Sequence, residues 1–356
     1  MPPRPQLVAA RPTLRVEGRD YPALSETLLA LDVCEDTAGL YRCEARFTNW
    51  GGQRGGPGFL HFSRQPLDFG KPLVVAWGDQ TVFTGCITAL EARYPDGAAP
   101  EFAVLAEDAF QELRQTRRTR VFNELSDADM FQQLARDHGL QAQVDLRGPT
   151  HRVLAQVNQS DLAFLRDRAR AMGAELWIAD GRLHAATRPQ RREGEPVELS
   201  YGANLRTFTA LADLAHQRTK FVVSGWDVGG KSPLKAEAAA DTLSSERSDG
   251  DSGANVLRQA FGERIETLAH TVPVTADEAQ AVADAAARWA GRRFVTGQGE
   301  CDPAAGLRVG GQVRLANVGP LFGGDHYVTE VRHTFDTTKG LRTFFRTECA
   351  VLRPAN

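Results

Sequence analysis

The chain has 356 residues, 42% hydrophobic and 24% charged, with a formal net charge of −3 and a mean hydropathy of −0.35. That length allows two or three domains, each burying its own core. The lack of a long apolar run excludes a membrane-spanning helix, and the charge balance gives no ground for nucleic-acid binding or sequence recognition.

Residues 1–10 have neither an apolar core nor a cleavage site, so they read as an N-terminal tail and not as a signal peptide. Residues 11–110 read as a first β-barrel domain. Pro72 to Trp77 is an apolar, β-branched run, Gly78-Asp79 a turn, and Thr81 to Ala89 the returning strand. In the return, Val82, Thr84, Cys86, Thr88 and Leu90 fall on one face, with Phe83, Ile87 and Ala89 on the other. Both faces carry apolar groups, as expected of a strand buried on two sides. Gly51 to Gly58, with five glycines and one proline, reads as a long flexible loop.

Residues 111–192 read as a small α/β module. Ser126-Asp127 starts a helix whose face is Phe131, Leu134 and Ala135, and Gly139 ends it. The frame recurs at Ser160-Asp161, with Leu165, Ala169 and Met172 as the stripe and Gly173 as the stop. The two serines lie 34 residues apart, the period of a tetratricopeptide array. A solenoid is nevertheless excluded, because each helix leads into a strand. These are Gln141 to Asp145 and Glu175 to Ala179, the second turning at Asp180-Gly181 into Arg182 to Thr187.

Residues 193–356 read as a second β-barrel with an insertion at about 234–292. Its candidate strands are Lys220 to Gly225, Gln312 to Val318, His326 to Phe335 and Leu341 to Leu352. In the third, period-two alternation places Tyr327, Val331 and Phe335 on one face, with Glu330, Arg332 and Thr334 opposite. Within the insertion, 241–255 is rich in Ser, Asp and Gly and reads as a mobile loop, either one that orders against a neighbour on assembly or a solvated surface loop with no partner. Thr275 to Trp289 reads as a helix, with Thr275 and Glu278 as a capping box. The expected fold class is therefore α+β and mainly β. Two similar tube-like β-barrels flank a small α/β module, and the second barrel carries a helical insertion.

No coherent catalytic set emerges. Gly225 to Ser232 fits the P-loop expression, with Gly225, Gly230, Lys231 and Ser232 at the required positions. Pro233 removes a donor where the helix would open, and no magnesium-binding Asp follows a later strand. The match reads as a coincidence of a strand end and a turn, so no cofactor is expected. His326 and His333 lie seven apart on one strand and point to opposite faces unless the strand bulges. His61, His138, His151, His184, His216 and His270 have no partner at metal-ligand spacing, so no metal is expected. Glu107-Asp108 and Asp277-Glu278 read as solvated helix-start charges. Arg114, Arg117, Arg118 and Arg120 read as a solvated face or one paired with acidic neighbours. Arg188, Arg191 and Arg192, beside Pro189, read as a linker. Cys34, Cys43, Cys86, Cys301 and Cys349 are scattered, with no C-x-x-C pair, and read as reduced, buried thiols of a chain made in the cytoplasm.

Four stretches, taken in order, resemble the phage late-control D family of tail hub proteins and the hub half of VgrG-type spike proteins. Phe83 to Glu91 resembles the strand that closes the family's first barrel. Gln156 to Leu165, continuing to Gly173 and Leu183, is similar to its central helix and hairpin. Gly225-Trp226-Asp227 with Lys231 resembles a strand end in the second barrel. Gly310 to Val318, Gly323, Tyr327 to Thr329, His333, Phe335 and Gly340 to Phe344 look like the closing strands, although Leu341 stands where the family often has an aromatic residue. The resemblance runs from about Leu14 to Leu352. It implies a non-catalytic baseplate hub of a contractile phage tail or phage-tail-like injection system: a homotrimer whose barrels form a near-sixfold ring between a sixfold tail tube and a threefold spike. Implied partners are the tail tube protein, the spike and other baseplate components of a virion or injection particle. Because the chain stops at Asn356, the spike is expected to be a separate polypeptide. The competing readings are a P-loop nucleotidase, a cell-wall hydrolase, and a sugar-binding module.

Overall fold

The computed structural model describes residues 11–53, 55–191, 193–227, 230–239, 243, 249–269 and 273–353. Among these residues the chain is mainly β, with 25 strands and six helices, so the extended segments decide the architecture.

Most strands join one thirteen-stranded sheet. Its path runs from Leu205–Ala212 through Val295–Cys301, Gly340–Cys349 and Gly324–Asp336, then crosses to Leu28–Asp36. From there it continues through Arg42–Thr48, Glu101–Glu107, Gln80–Arg93 and Pro72–Trp77 to Thr13–Val16 and Arg19–Asp20. The path is open at both ends, so the described pairings close neither of the two expected barrels. The two β regions instead share a ladder. Residues Glu330 to Asp336 pair antiparallel with Asp36 to Ala30, about three hundred positions away in sequence. Two separate cores sit on this common sheet. Val33, Ala45, Phe47, Leu73 and Val104 belong to the first. Leu199, Cys301, Val313, Val331 and Phe345 belong to the second.

The seam strand Gly324–Asp336 explains where period-two reading fails. Its first half pairs with Gln312–Ala316 and its second half with Leu28–Asp36. The register against Gly340–Cys349 shifts between Val328 and Glu330, a bulge at the point where the partner changes. The extra residue flips the alternation. Val331 and Phe335 face inward as expected, but Tyr327 falls on the other side, and His326 and His333 become buried on the same face. A similar shift between Val75 and Ala76 leaves Val82 as the extra residue, so Val82 and Phe83 are both buried. The Gly51 to Gly58 loop is a small hairpin, Gly51–Gln53 against Gly56–Gly58.

The α/β module keeps the caps foreseen in the sequence. The Ser126 hydroxyl accepts from the Asp129 N–H and opens the helix Asp127–Asp137, and Ser160 accepts from Ala163 to open Asp161–Ala171. The 34-residue echo proves to be strand, helix, strand. Arg117–Ser126 and Thr150–Ser160 lead into the two helices and pair antiparallel with each other. Gln141–Asp145 then pairs in parallel with Arg182–Thr187, which also carries Ala174–Ala179.

Lys220–Asp227 lies outside the large sheet, contrary to its expected place in the second barrel. It is the centre of a three-stranded sheet between Ser232–Ala239 and Ile265–Leu268, packed on the helix Ala276–Arg292. The inserted unit therefore includes residues before 234. Of the segment 241–255, residues 241, 242 and 244–248 lie outside the described residues. Asp251–Ser252 pairs with Val351–Leu352, and Ser252 caps the helix Gly253–Phe261, so this end of the expected loop is ordered.

Candidate functional site

The P-loop-like segment folds as a hairpin. Gly225 lies inside Lys220–Asp227, Gly230 and Lys231 form the turn, and Ser232 begins the returning strand. Asp227 and Ser232 face each other across the ladder. A phosphate cradle needs successive N–H groups converging at a helix start, whereas here a strand follows. The Asp227 carboxylate accepts from the Gly230 N–H at 2.9 Å, and a Cβ on Gly225 would meet the Pro273 carbonyl at 2.6 Å.

The histidines are packed into separate networks. His61 is hydrogen-bonded to Thr27 (3.1 Å), and burial holds its pKa below the usual value. Burial pushes His333 down to about 3, beside the Thr343 hydroxyl. His184 stacks on Trp177, and His216 is exposed. His270 lies outside the described residues. No group of three or more His, Cys, Asp and Glu side chains that could hold a metal occurs among the described residues. The five cysteines are free thiols, but only Cys43 and Cys301 are buried as expected, whereas Cys34, Cys86 and Cys349 are half-buried.

Two carboxylates expected in solvent are buried. Asp108 accepts from the N–H groups of Tyr41 (2.8 Å) and Phe110 (2.9 Å), and burial raises its pKa to about 7. Glu107 is also buried and pairs with Arg114. Three of the four arginines in the basic cluster pair with carboxylates of the chain, and Arg117 donates to the Asn158 carbonyl at 3.2 Å. Arg120 reaches Asp161 at 2.6 Å and Asp137 at 3.3 Å, while Arg118 lies 3.4 Å from Asp161.

The sequence echo acquires chemical content in the two helix-start aspartates. Both Asp127 and Asp161 are buried, and each holds a histidine and an arginine. Asp161 takes His138 (2.8 Å) and Arg120, whereas Asp127 takes His151 (2.8 Å) and Arg168 (2.6 Å). The other ring nitrogen of His151 lies 3.0 Å from the Glu278 carboxylate on the inserted helix. A neutral imidazole has one N–H. Carboxylates at both nitrogens therefore favour the imidazolium, and the bond to Asp127 raises its pKa, against burial and with help from Glu278.

A second polar junction ties three regions together at Arg191. Its guanidinium donates to Glu175 (3.0 Å), the Tyr41 hydroxyl (2.9 Å) and the Val309 carbonyl (2.9 Å), and lies 4.2 Å from the centre of the Trp177 ring. Glu175 also accepts from Arg188 (2.8 Å) and the Tyr327 hydroxyl (2.5 Å). Burial pushes the Glu175 carboxyl up, and the charges of Arg188 and Arg191 more than reverse it. Gly310 is required here: its φ is +90°, and a Cβ would lie 2.1 Å from the Arg191 Nε. The sequence reading of Arg191 as a linker missed this, because its partners lie up to 150 positions away. Arg192 lies outside the described residues.

The sequence profile of the Alg8 N-terminal domain family matches residues 75–337, well over half of the chain. The chain belongs to this family. The match starts within the Pro72–Trp77 strand and ends just past the Gly324–Asp336 seam, so both β regions of this Alg8 N-terminal domain protein contribute to it. No curated protein sequence matches the chain. Solved structures share its fold at low identity. A 43 kDa tail protein of prophage MuSo2 from Shewanella oneidensis superposes with a TM-score of 0.71 at 13% identity, covering 96% of this chain and 98% of that one. A tail protein from Neisseria meningitidis gives a TM-score of 0.66 at 13% identity, over 95% and 96% of the two chains. The Escherichia coli c3393 protein, a component of the type VI secretion system, gives 0.56 at 12% identity, over 96% and 79%.

Proposed function

We propose that the chain is a structural baseplate hub of a phage tail or a related injection machine, with no catalytic role of its own. The observation that carries this reading is end-to-end similarity of fold to phage tail proteins, with almost the whole of both chains aligned. The likeness to a type VI secretion component that is itself structurally similar to the T4 bacteriophage tail proteins gp27 and gp5 supports the wider class of machine. The late-control D resemblance of the four stretches adds the finer detail. Three copies form a ring in which the two β regions of each chain act as similar tube-like domains, giving near-sixfold symmetry from a threefold assembly. The ring adapts a sixfold tail tube to a threefold spike, in a baseplate with further components. A heterologous ring of this kind is stable because its rotation closes. Domains at 11–110, 111–192 and 193–356 belong to the same proposal. No helix among the described residues is long and apolar enough to cross a membrane. Cryo-electron microscopy of assembled particles tests the reading. The expected result is three copies on the particle axis between tube and spike, and an off-axis position or a single copy overturns it.

A further inference from the structure

We propose that the cleft between the α/β module and the inserted unit docks an acidic segment of a partner polypeptide that also carries aliphatic or aromatic side chains. This goes beyond the hub reading and does not depend on the ring. The cleft has a volume of about 730 Å³, inside the roughly 300–1,000 Å³ range of pockets that bury a ligand. One wall is the end of the helix Asp161–Ala171 with Gly173 and Leu176. The other is the helix Ala276–Arg292, which presents Val282, Ala285, Ala286 and Trp289, with Phe221 and Leu268 beside it. These walls offer apolar contact without a continuous aromatic platform.

The charge of the cleft runs against that of the chain. Six guanidinium groups line it, from Arg166, Arg170, Arg188, Arg218, Arg292 and Arg293, against the three carboxylates of Glu175, Glu266 and Glu348. The local balance is positive in a chain whose formal net charge is −3, and a cleft with low-dielectric walls concentrates such a field. Arg188 pairs with Glu175 and Glu348, and Arg218 with Glu266 at 2.8 Å. Arg166 instead donates to the neutral carbonyls of Ala38 and Gly39. The Arg170 side chain is 70% exposed at the rim, where it pairs with the half-exposed Asp167 at 3.0 Å. At the mouth, Trp289 is 58% exposed with the Arg293 guanidinium 4.6 Å from its ring centre, and Arg293, itself about half exposed, also pairs with Glu348 at 3.2 Å. An exposed tryptophan beside arginine is the composition that dominates binding at protein interfaces. The interspersed carboxylates disfavour a polyphosphate, whose charge repeats without interruption. A peptide alternating carboxylates with apolar side chains matches both walls and rim.

The test uses the full chain and short fluorescein-labelled peptides, read by fluorescence anisotropy. One peptide alternates Asp and Glu with Leu and Phe, a second replaces its acids with Lys, and a third replaces its apolar residues with Ser. The first is expected to bind at least about tenfold more tightly than either control, and to weaken as salt rises because rim charges are screened. Trp289→Ala and the double variant Arg170→Glu with Arg293→Glu change exposed side chains, and circular dichroism checks that they remain folded. Each is expected to weaken the first peptide by about tenfold or more. Equal binding of acidic and basic peptides, binding unchanged in the variants, no binding at all, or displacement by an equal concentration of oligothymidylate overturns the proposal.

Discussion

The two β regions are joined to each other by backbone, whereas the inserted unit meets the α/β module through side chains. Between the β regions, Glu330 to Asp336 and Asp36 to Ala30 continue one sheet, and Arg191 closes the gap beside it with buried bonds to both sides. The inserted unit has a core of small residues, Ala236, Ala238, Ala279, Ala283, Ala287 and Ala290 around Phe221 and Val223. It meets the module across the cleft and through the His151–Glu278 contact. Small side chains remove less apolar area from water, so this unit gains less per residue on folding. The lesson is that stability is unevenly distributed, so the inserted unit is expected to open first and the shared sheet last.

The largest expected effect comes from Arg191→Met. It leaves the Glu175 carboxylate buried without one of its cations, and the loss is about 3–5 kcal/mol in denaturant unfolding. Adding Glu175→Gln to the same chain should recover part of that loss. A cost below about 1 kcal/mol would mean that the junction is not what couples the regions.

Paired truncations sharpen the contrast. Phe47→Ala and Phe221→Ala each remove a buried ring, at about 3–5 kcal/mol for the unit that contains it. Hydrogen exchange should show protection falling across the large sheet for Phe47→Ala and only within 220–292 for Phe221→Ala. Equal loss throughout would break the comparison, because the molecule would then open as one body.

A smaller effect belongs to His151→Gln, about 1.5–3 kcal/mol for bonds to charged groups. The groups facing the ring are Asp127 and Arg168 from the module and Glu278 from the inserted helix. The folded pKa of His151 is raised above the ordinary histidine value of 6.5. Its contribution is therefore fully present below that pH and is lost as pH rises through the folded value. Protection of the inserted unit should fall along that rise, and His151→Gln should remove the dependence. A rise in protection with pH would show that the contact works with the opposite sign.

The smallest expected effect is at Lys231. Lys231→Ala changes an exposed turn residue at φ +49°, a conformation no easier for Lys than for Ala, and should stay within about 0.5 kcal/mol of the parent chain. ATP with magnesium should leave the melting temperature of both unchanged, and a shift present only in the parent would restore the nucleotide reading.

What the sequence determined by itself was local. Ser126, Ser160 and Thr275 cap their helices because a side-chain oxygen and an N–H three residues on are neighbours in any helix start. Gln141–Asp145, Arg182–Thr187 and Pro72–Trp77 match their expected bounds because alternation and turn residues act within a few positions. The tertiary structure decided whatever depends on a distant partner. His326 and His333 share a face only because Gly324–Asp336 changes partners at a bulge, and one inserted residue inverts a period of two. Asp108 and Arg191 are buried because Tyr41, Val309 and Glu175 supply their bonds, whereas the sequence placed Asp108 in solvent and Arg191 in a linker. Lys220–Asp227 has the composition of a large-sheet strand, yet Ala276–Arg292 covers it and draws it into the inserted unit. Pattern gives a strand its faces; only the chain returning from far away gives it a neighbour.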